Sequence, residues 1–462
     1  MKSNQYFGLL FMSAMVFIGC KKDKDIIAPP APTTPPVQVS AIDKLKDTVL
    51  LYSRDIYLWH EQIPTEFNPR TYADPDKIMQ AIRQFSKETG FNAPVDKWSF
   101  AYKKNDWDNV SSGISQDFGL NVFFNGEGDL RVKSVEKRSP AGIAGIKRGW
   151  RITKINGSTN ISTSNINYIV ENVFNSNNTS FTFQKPDGTS TDLSLSAAGY
   201  TENPIYLDTV LTTGSKKVGY LVFNSFLGDT TEIYNGFQRI FNRFAQEQVN
   251  EVIVDLRYNG GGYVSVQDKL ANYLANNAAN GDVMMNQQFN EKYKQWNETT
   301  RFRKLGGLNL PRIFFIVSSS TASASELLIN NLKPFMDVKL VGPKATFGKP
   351  VGFFPIPVGD WYIFPVSFRS TNKAGSGNYF SGHALNYQAG DGLDKDWGDR
   401  NELSLASVLK FINTGSFNYV PAGETIGSSN NGTFKNEKVI EGNRKLDAPS
   451  FKGSIGTRKI FR

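Results

Sequence analysis

A chain of 462 residues is too long for one ordinary hydrophobic core and suits two or three domains. Its 39% apolar and 21% charged residues describe a soluble globular protein and exclude a bundle of membrane-spanning helices. A net charge of +9 invites a nucleic-acid reading, but residues 430–462 carry eight Lys/Arg against three Asp/Glu, so more than half the excess sits in one tail and the body is nearly balanced.

Residues 1–20 read as a secretory signal rather than as part of the fold. A basic Lys2 precedes an apolar stretch from Phe7 to Ile18, and Gly19-Cys20 follows, the pattern of a bacterial signal that ends in a lipidation cysteine. The run is shorter than the roughly 20 apolar residues a membrane span needs. Phe17 stands three positions before the cysteine, where Leu is usual. Cys20 is the only cysteine, so no intrachain disulfide can form. A lipid on Cys20 would tether the protein to a membrane of the bacterial cell envelope, on its periplasmic face or at the cell surface. Residues 21–39, KKDKDIIAPPAPTTPPVQV, are charged and then Pro-rich, and read as an extended stalk.

From 40 to 112 helical patterns dominate. Leu45, Val49, Leu50, Ile56, Tyr57 and Trp59 form one apolar stripe, and Ile78, Met79, Ile82 and Phe85 after Pro75 form another. Residues 113–200 change to strand character. FGLNVFF and LRVKSV alternate, and FTFQKPDGTSTDLSL has the alternation and Asp-Gly turn of a hairpin. Phe118-Gly119-Leu120-Asn121, Ser139-Pro140-Ala141 through Gly149, and Ile155-Asn156-Gly157 resemble a PDZ domain of the bacterial protease type, with Trp150 where that family usually has Asp. The resemblance implies that residues 118–121 hold a terminal carboxylate while a peptide adds a strand to the sheet edge.

From 201 to 415 strands and helices alternate, which predicts an α/β sheet with loops gathered at strand ends. KVGYLVF is followed by a helix with Ile233, Phe237, Ile240, Phe241 and Phe244 on one face. Then come VIVDL with the loop RYNGGG, IFFIVS with TASASELL, and VKLVG with PKATFGKPVG. One helix cap needs one hydroxyl, and the surplus in TASAS suggests a serine held at a strand-to-helix turn. A nucleophilic serine needs a base. The two histidines serve poorly: His60 lies in the helical region beside Trp59, and His383 stands in a loop with no recognisable acid partner nearby. Lysine serves if burial removes its charge. Lys349 in ATFGKPVG follows Ser323 by one strand crossing, with Phe347 and Pro350 as apolar neighbours. The three glycines let backbone approach a substrate and aim NH groups at a developing oxyanion.

VIVDLRYNGGG, STASASELL and TFGKPVG, in that order and after the PDZ-like segment, resemble the C-terminal processing (tail-specific) serine peptidases over roughly residues 40–415. The resemblance implies an α/β crotonase-like (ClpP-type) catalytic domain, a small β-rich PDZ domain and an N-terminal helical region. It implies Ser323 as nucleophile, Lys349 as general base, and an oxyanion hole from the amides of Ala324 and Gly262 or Gly261, with Ser325 and Glu326 supporting the helix start. Many members carry a glutamine four residues after the lysine; here that residue is Phe353. The expected substrates are unfolded polypeptides or exposed chain ends, cut without metal or cofactor. The rival reading is a tethered peptide-end binder that does not cut. Two Ser-x-x-Lys matches, SVEK at 134–137 and STNK at 370–373, lack an accompanying KTG strand and arise by chance. The helix pattern of GDRNELSLASVLKFI closes the body, and residues 416–462 read as a basic, mobile extension with no nucleic-acid role.

Overall fold

The computed structural model describes residues 39–420, 437–447 and 450–456. The signal segment, Cys20 and the Pro-rich stalk lie outside the described residues. Two helices open the body, α1 (Ala41–Ile56) and α2 (Pro75–Ile82). Asp74 caps α2 by accepting from the Lys77 N–H, and Pro75 sits in the first turn, where its missing donor is harmless. Val49, Leu50, Ile56, Tyr57, Ile78, Met79 and Ile82 are buried, and they pack in one cluster with Trp98, Phe353 and Phe364. This helical region therefore forms a wall against the segment that follows Lys349.

Residues 120–196 supply five antiparallel strands: β1 (Leu120–Gly126), β2 (Asp129–Val135), β3 (Arg151–Ile155), β4 (Asn178–Gln184) and β5 (Ser190–Ser196), in that spatial order. A short helix, α3 (Ile166–Val170), buries Ile166 and Ile169 on their core. The Asp-Gly turn joins β4 to β5 with Gly188 at φ +85°, the left-handed conformation that suits glycine. β1 is an edge strand.

The central sheet holds β6 (Ile205–Thr213), β7 (Lys216–Phe223), β8 (Glu251–Asp255), β9 apart from it (Gly261–Tyr263), β10 (Arg312–Ile316), β11 (Asp337–Gly342) and β12 (Tyr387–Gln388). The order is β12-β11-β10-β8-β7-β6, parallel except for the β6–β7 hairpin. Side chains alternate along each strand, so both faces must be covered. Val252, Val254, Ile313 and Phe315 meet the helices α4 (Thr230–Gln246), α5 (Val264–Leu274) and α6 (Ala324–Leu332). Ile253, Phe314 and Ile316 meet α7 (Leu403–Thr414), which ends at Gly415 in the left-handed conformation. The loops RYNGGG, TASAS and ATFGK leave the carboxyl ends of β8, β10 and β11, side by side.

The tail departs from the expected mobile extension. Among its described residues, α8 (Glu437–Asp447) buries Val439 and Leu446 in the core of the β-rich segment, and β13 (Gly453–Ile455) pairs parallel with β9. Apolar and small residues spaced through a polar stretch are what dock it, a signal diluted by the surrounding Lys, Arg, Gly and Asn.

Candidate active site

The nucleophile candidate sits where the chain leaves β10 for α6. Ser323 is fully buried and adopts φ +59°, ψ −106°, a strained conformation for a residue with a side chain. The hydroxyls around it hold the turn against the neighbouring loop. Thr321 donates to the Leu256 carbonyl, Ser318 to the Arg257 carbonyl, and Ser325 to the Asn259 carbonyl. The Ala322 N–H also donates to Asn259 O. The surplus hydroxyls thus stitch TASAS to RYNGGG. Because glycine tolerates positive φ, Ser323→Gly is expected to be more stable than Ser323→Ala by roughly 1 kcal/mol, read as a higher unfolding temperature.

The RYNGGG loop is fixed from both sides. Arg257 is buried among Asp255, Asp391 and Glu402. Arg148, from the β-rich segment, bonds the Tyr258 hydroxyl and Asp391 and stacks its guanidinium over Trp397 at 4.5 Å. Within the loop, the Gly261 N–H donates to Asn259 Oδ1 at 2.9 Å. That bond occupies the Gly261 amide, so of the two expected glycine donors only Gly262 remains. Gly262 at φ +139° passes so close to the Phe226–Leu227 backbone that a Cβ would lie 2.3 Å from the Phe226 carbonyl carbon, and only glycine fits.

Lys349 is 1% exposed. Its ammonium end lies 3.7 Å from the Phe353 ring centroid and 5.8 Å from that of Trp98, and it donates to the Lys452 carbonyl at 3.1 Å. Burial holds the Lys349 amine well below the usual lysine range, against the pull of Asp96. The aromatic face of Phe353 thus stands where a glutamine amide was expected.

Glu326 joins the two loops. Its buried carboxylate accepts from Ser323 N at 2.9 Å and Lys349 N at 2.8 Å on one oxygen, and from Thr346 Oγ1 at 2.6 Å and Gly348 N at 2.7 Å on the other. Burial pushes this carboxyl up, and the four donors act the other way. A glutamate three residues after the helix cap looks like ordinary helix support in sequence; that it also binds the lysine loop depends on the ATFGK segment folding back over α6. His383 packs beneath the same helix, its Nε2 3.2 Å from the Glu326 carbonyl, and burial pushes its pKa down to about 3. Neither histidine is bonded to Ser323.

The tail strand runs through the middle of this arrangement. Ser323 Oγ donates to Ser454 Oγ at 2.8 Å, and Lys349 meets the same strand at Lys452 O. The Gly453 N–H donates to Gly260 O at 2.9 Å. In a parallel ladder with Gly261 opposite Gly453, the next bond runs from the Gly262 N–H to the Gly453 carbonyl. That carbonyl oxygen and the Ala324 nitrogen lie 2.4 and 3.0 Å from one point, where a Cβ on Gly261 would stand. The Gly453 carbonyl is thus turned toward the Gly262 amide, and the start of α6 at Ala324 lies on the same side of the loop.

Residues 118–121 lie apart from this cluster. Phe118 and Leu120 are buried in the core of the β-rich segment. The Gly119 N–H donates to Asp117 Oδ1 at 2.6 Å, so an internal carboxylate occupies the amide expected to take a chain end. The β1 edge beyond it carries α8: Asn443 Oδ1 accepts from Phe124 N at 2.7 Å and its Nδ2 donates to Phe124 O at 2.9 Å, copying the bonds of an added strand.

Parts of the chain are similar to known proteins. Residues 217–380 match the family described as Peptidase family S41. The chain is 25% identical to the carboxy-terminal processing protease CtpB of Bacillus subtilis (strain 168) over 311 residues, 65% of this chain and 60% of that protein. It is 27% identical over 283 residues to a probable CtpA-like serine protease of Staphylococcus aureus (strain COL), covering 60% of this chain and 53% of the relative. The chain thus spans little more than half the length of these curated relatives. A crystal structure of a protein assigned to the S41 proteases from Bacteroides fragilis NCTC 9343 superposes with a TM-score of 0.65 at 22% identity, over 79% of this chain and 96% of that one, and shares the fold.

Proposed function

We propose, from the match of residues 217–380 to the family described as Peptidase family S41, that this chain is a serine endopeptidase that cuts polypeptides with a Ser323–Lys349 pair. In this reading the six-stranded sheet is a crotonase-like catalytic domain, residues 113–200 are a PDZ-like domain, and a lipid on Cys20 holds the protein in the bacterial envelope. The last of these rests on the sequence pattern of residues 1–20 alone.

One observation carries the catalytic reading: a single extended strand meets the Ser323 hydroxyl at Ser454, the Lys349 amine at Lys452 and the Gly261–Gly262 backbone at Gly453. A nucleophile, a base and an amide donor are the groups that acyl transfer needs, and they line three successive residues of that strand, 452–454. Ser323 Oγ is bonded to Ser454 and Lys349 Nζ to the Lys452 carbonyl in this state, so the pair closes when the hydroxyl turns to the lysine, whose uncharged form burial favours; Lys349 then accepts the Ser323 proton as Oγ attacks. The Gly262 and Ala324 N–H groups stabilise the oxyanion. The ammonium of Lys349 then protonates the departing amine, and water, deprotonated by the same lysine, hydrolyses the acyl ester. Glu326 touches no reacting atom in this scheme; it sets the distance between the two loops. Phe353 supplies a cation–π partner that steadies the amine through its charged state, an interaction worth roughly 0.5–2 kcal/mol. The Gly119 amide is occupied by Asp117, so recruitment by the PDZ-like domain would proceed by strand addition to β1 once α8 has left that edge.

Digestion of a disordered protein, with fragments mapped by mass spectrometry, tests the reading. Wild type is expected to produce internal and C-terminal fragments, and Ser323→Ala none. Equal cleavage by both would remove Ser323 from the mechanism, and a wild type that binds the substrate but leaves it whole would favour the non-cutting binder.

A further inference from the structure

The described part of the tail occupies both places that a foreign polypeptide would use. α8 lies along β1 and α3 with Asn443 bonded to the β1 edge. Beyond it, residues 450–456 lie extended in the cleft. They are held on one side by Gly260–Tyr263 and on the other by Phe353, whose N–H donates to Ser454 O at 3.0 Å and whose carbonyl accepts from Gly456 N at 2.9 Å. Backbone pairing on both edges is how a protease cleft grips an extended substrate irrespective of its side chains.

The register is specific. Asp447 fastens the strand's start: its carboxylate takes Lys133 at 3.0 Å from the β-rich segment, Lys452 at 2.9 Å from the tail itself, and the Ser320 hydroxyl at 3.1 Å from the nucleophile loop. Burial opposes this charge, but the two lysines hold the Asp447 carboxyl well below the usual carboxylate range. Gly453 has no room for a side chain, since a Cβ would lie 2.3 Å from the Phe451 ring and 2.7 Å from the Phe353 ring. With Asp447 pinned and glycine demanded at 453, the carbonyl delivered to the Gly262 amide is that of Gly453.

We propose that the protein is its own first substrate, with residues 450–456 bound in cleavage register, and that Ser323 cuts the peptide bond between Gly453 and Ser454. The proposal rests on the peptidase reading above. Ser323 Oγ adds to the Gly453 carbonyl carbon while its proton passes to Lys349. The C–N bond to Ser454 breaks as Lys349 returns that proton to the new amino terminus. Water then splits the Gly453 ester, restoring the Ser323 hydroxyl and leaving a carboxylate on Gly453. Loss of residues 454–462 removes both hydrogen bonds to Phe353, so the remaining end is held on one edge only, by Gly260–Gly262, and can be displaced by another chain.

The test compares the full-length wild type, Ser323→Ala and Gly453→Val by intact mass and by digestion of a disordered protein. Wild type is expected to end at Gly453 and to digest the disordered protein. Ser323→Ala is expected to keep residues 454–462. Gly453→Val, whose side chain cannot enter the space beside Phe353, is expected to stay uncut at 453 and still digest the disordered protein. A wild type that digests the disordered protein yet keeps its own residues 454–462, or Ser323→Ala cut at the same bond, would overturn the proposal. A wild type that cuts neither polypeptide overturns the peptidase reading, and self-cleavage with it.

Discussion

Ser323→Ala and Lys349→Ala are each expected to lower kcat/KM toward a disordered polypeptide by about 10³-fold or more, and the double variant to be no worse than either alone. The proposed proton transfer needs both groups at once, so removing one leaves the other nothing to do. The residual rate would come from the Gly262 and Ala324 amides and from binding, which both variants keep. The pH profile gives a second check. A base must be uncharged, and burial holds the Lys349 amine well below the ordinary lysine value of 10.5. Activity is therefore expected to persist well below pH 10.5 and to fall tenfold per pH unit only below that lowered value. An acid limb near 10.5 would mean that the amine is solvated in the working enzyme, and additive losses in the double variant would mean that the two residues act separately.

Glu326→Gln is expected to cost about 2–6 kcal/mol of stability and about 10² in kcat, with KM changing less. Both carboxylate oxygens accept two donors each. An amide must turn its NH₂ toward one of these pairs, leaving two buried donors facing a third. The Ser323 and Lys349 N–H groups share one oxygen, so repulsion there moves the turn and the base loop apart. Chemical denaturation and steady-state kinetics on the same preparation read the two effects. Unchanged kcat in a destabilised variant would confine Glu326 to holding the fold.

Chain order and local pattern were enough to read the alternation of strands and helices, the face of α4 that carries Ile233, Phe237, Ile240, Phe241 and Phe244, and the three loops at the ends of β8, β10 and β11. These follow from periodicity and from glycine and hydroxyl chemistry within a few residues, which a sequence displays directly. The resemblance favours Gly262 over Gly261 as the amide donor, but the physical reason, Asn259 folding back to occupy Gly261, was not legible in the sequence. The setting of Lys349 was half legible: apolar neighbours in sequence suggested burial, but Trp98 and Asp96 reach it from the helical region far upstream. The tail was least legible. Its charge and its glycines read as an extension, while its place in the cleft rests on backbone pairing with Gly260–Tyr263 and Phe353, and backbone hydrogen bonds leave no mark on side-chain pattern. Sequence by itself determined the elements and the residue types able to do acyl-transfer chemistry; only the tertiary structure decided which of them meet, and that a stretch of the same chain already lies between them, because those contacts join segments more than a hundred residues apart.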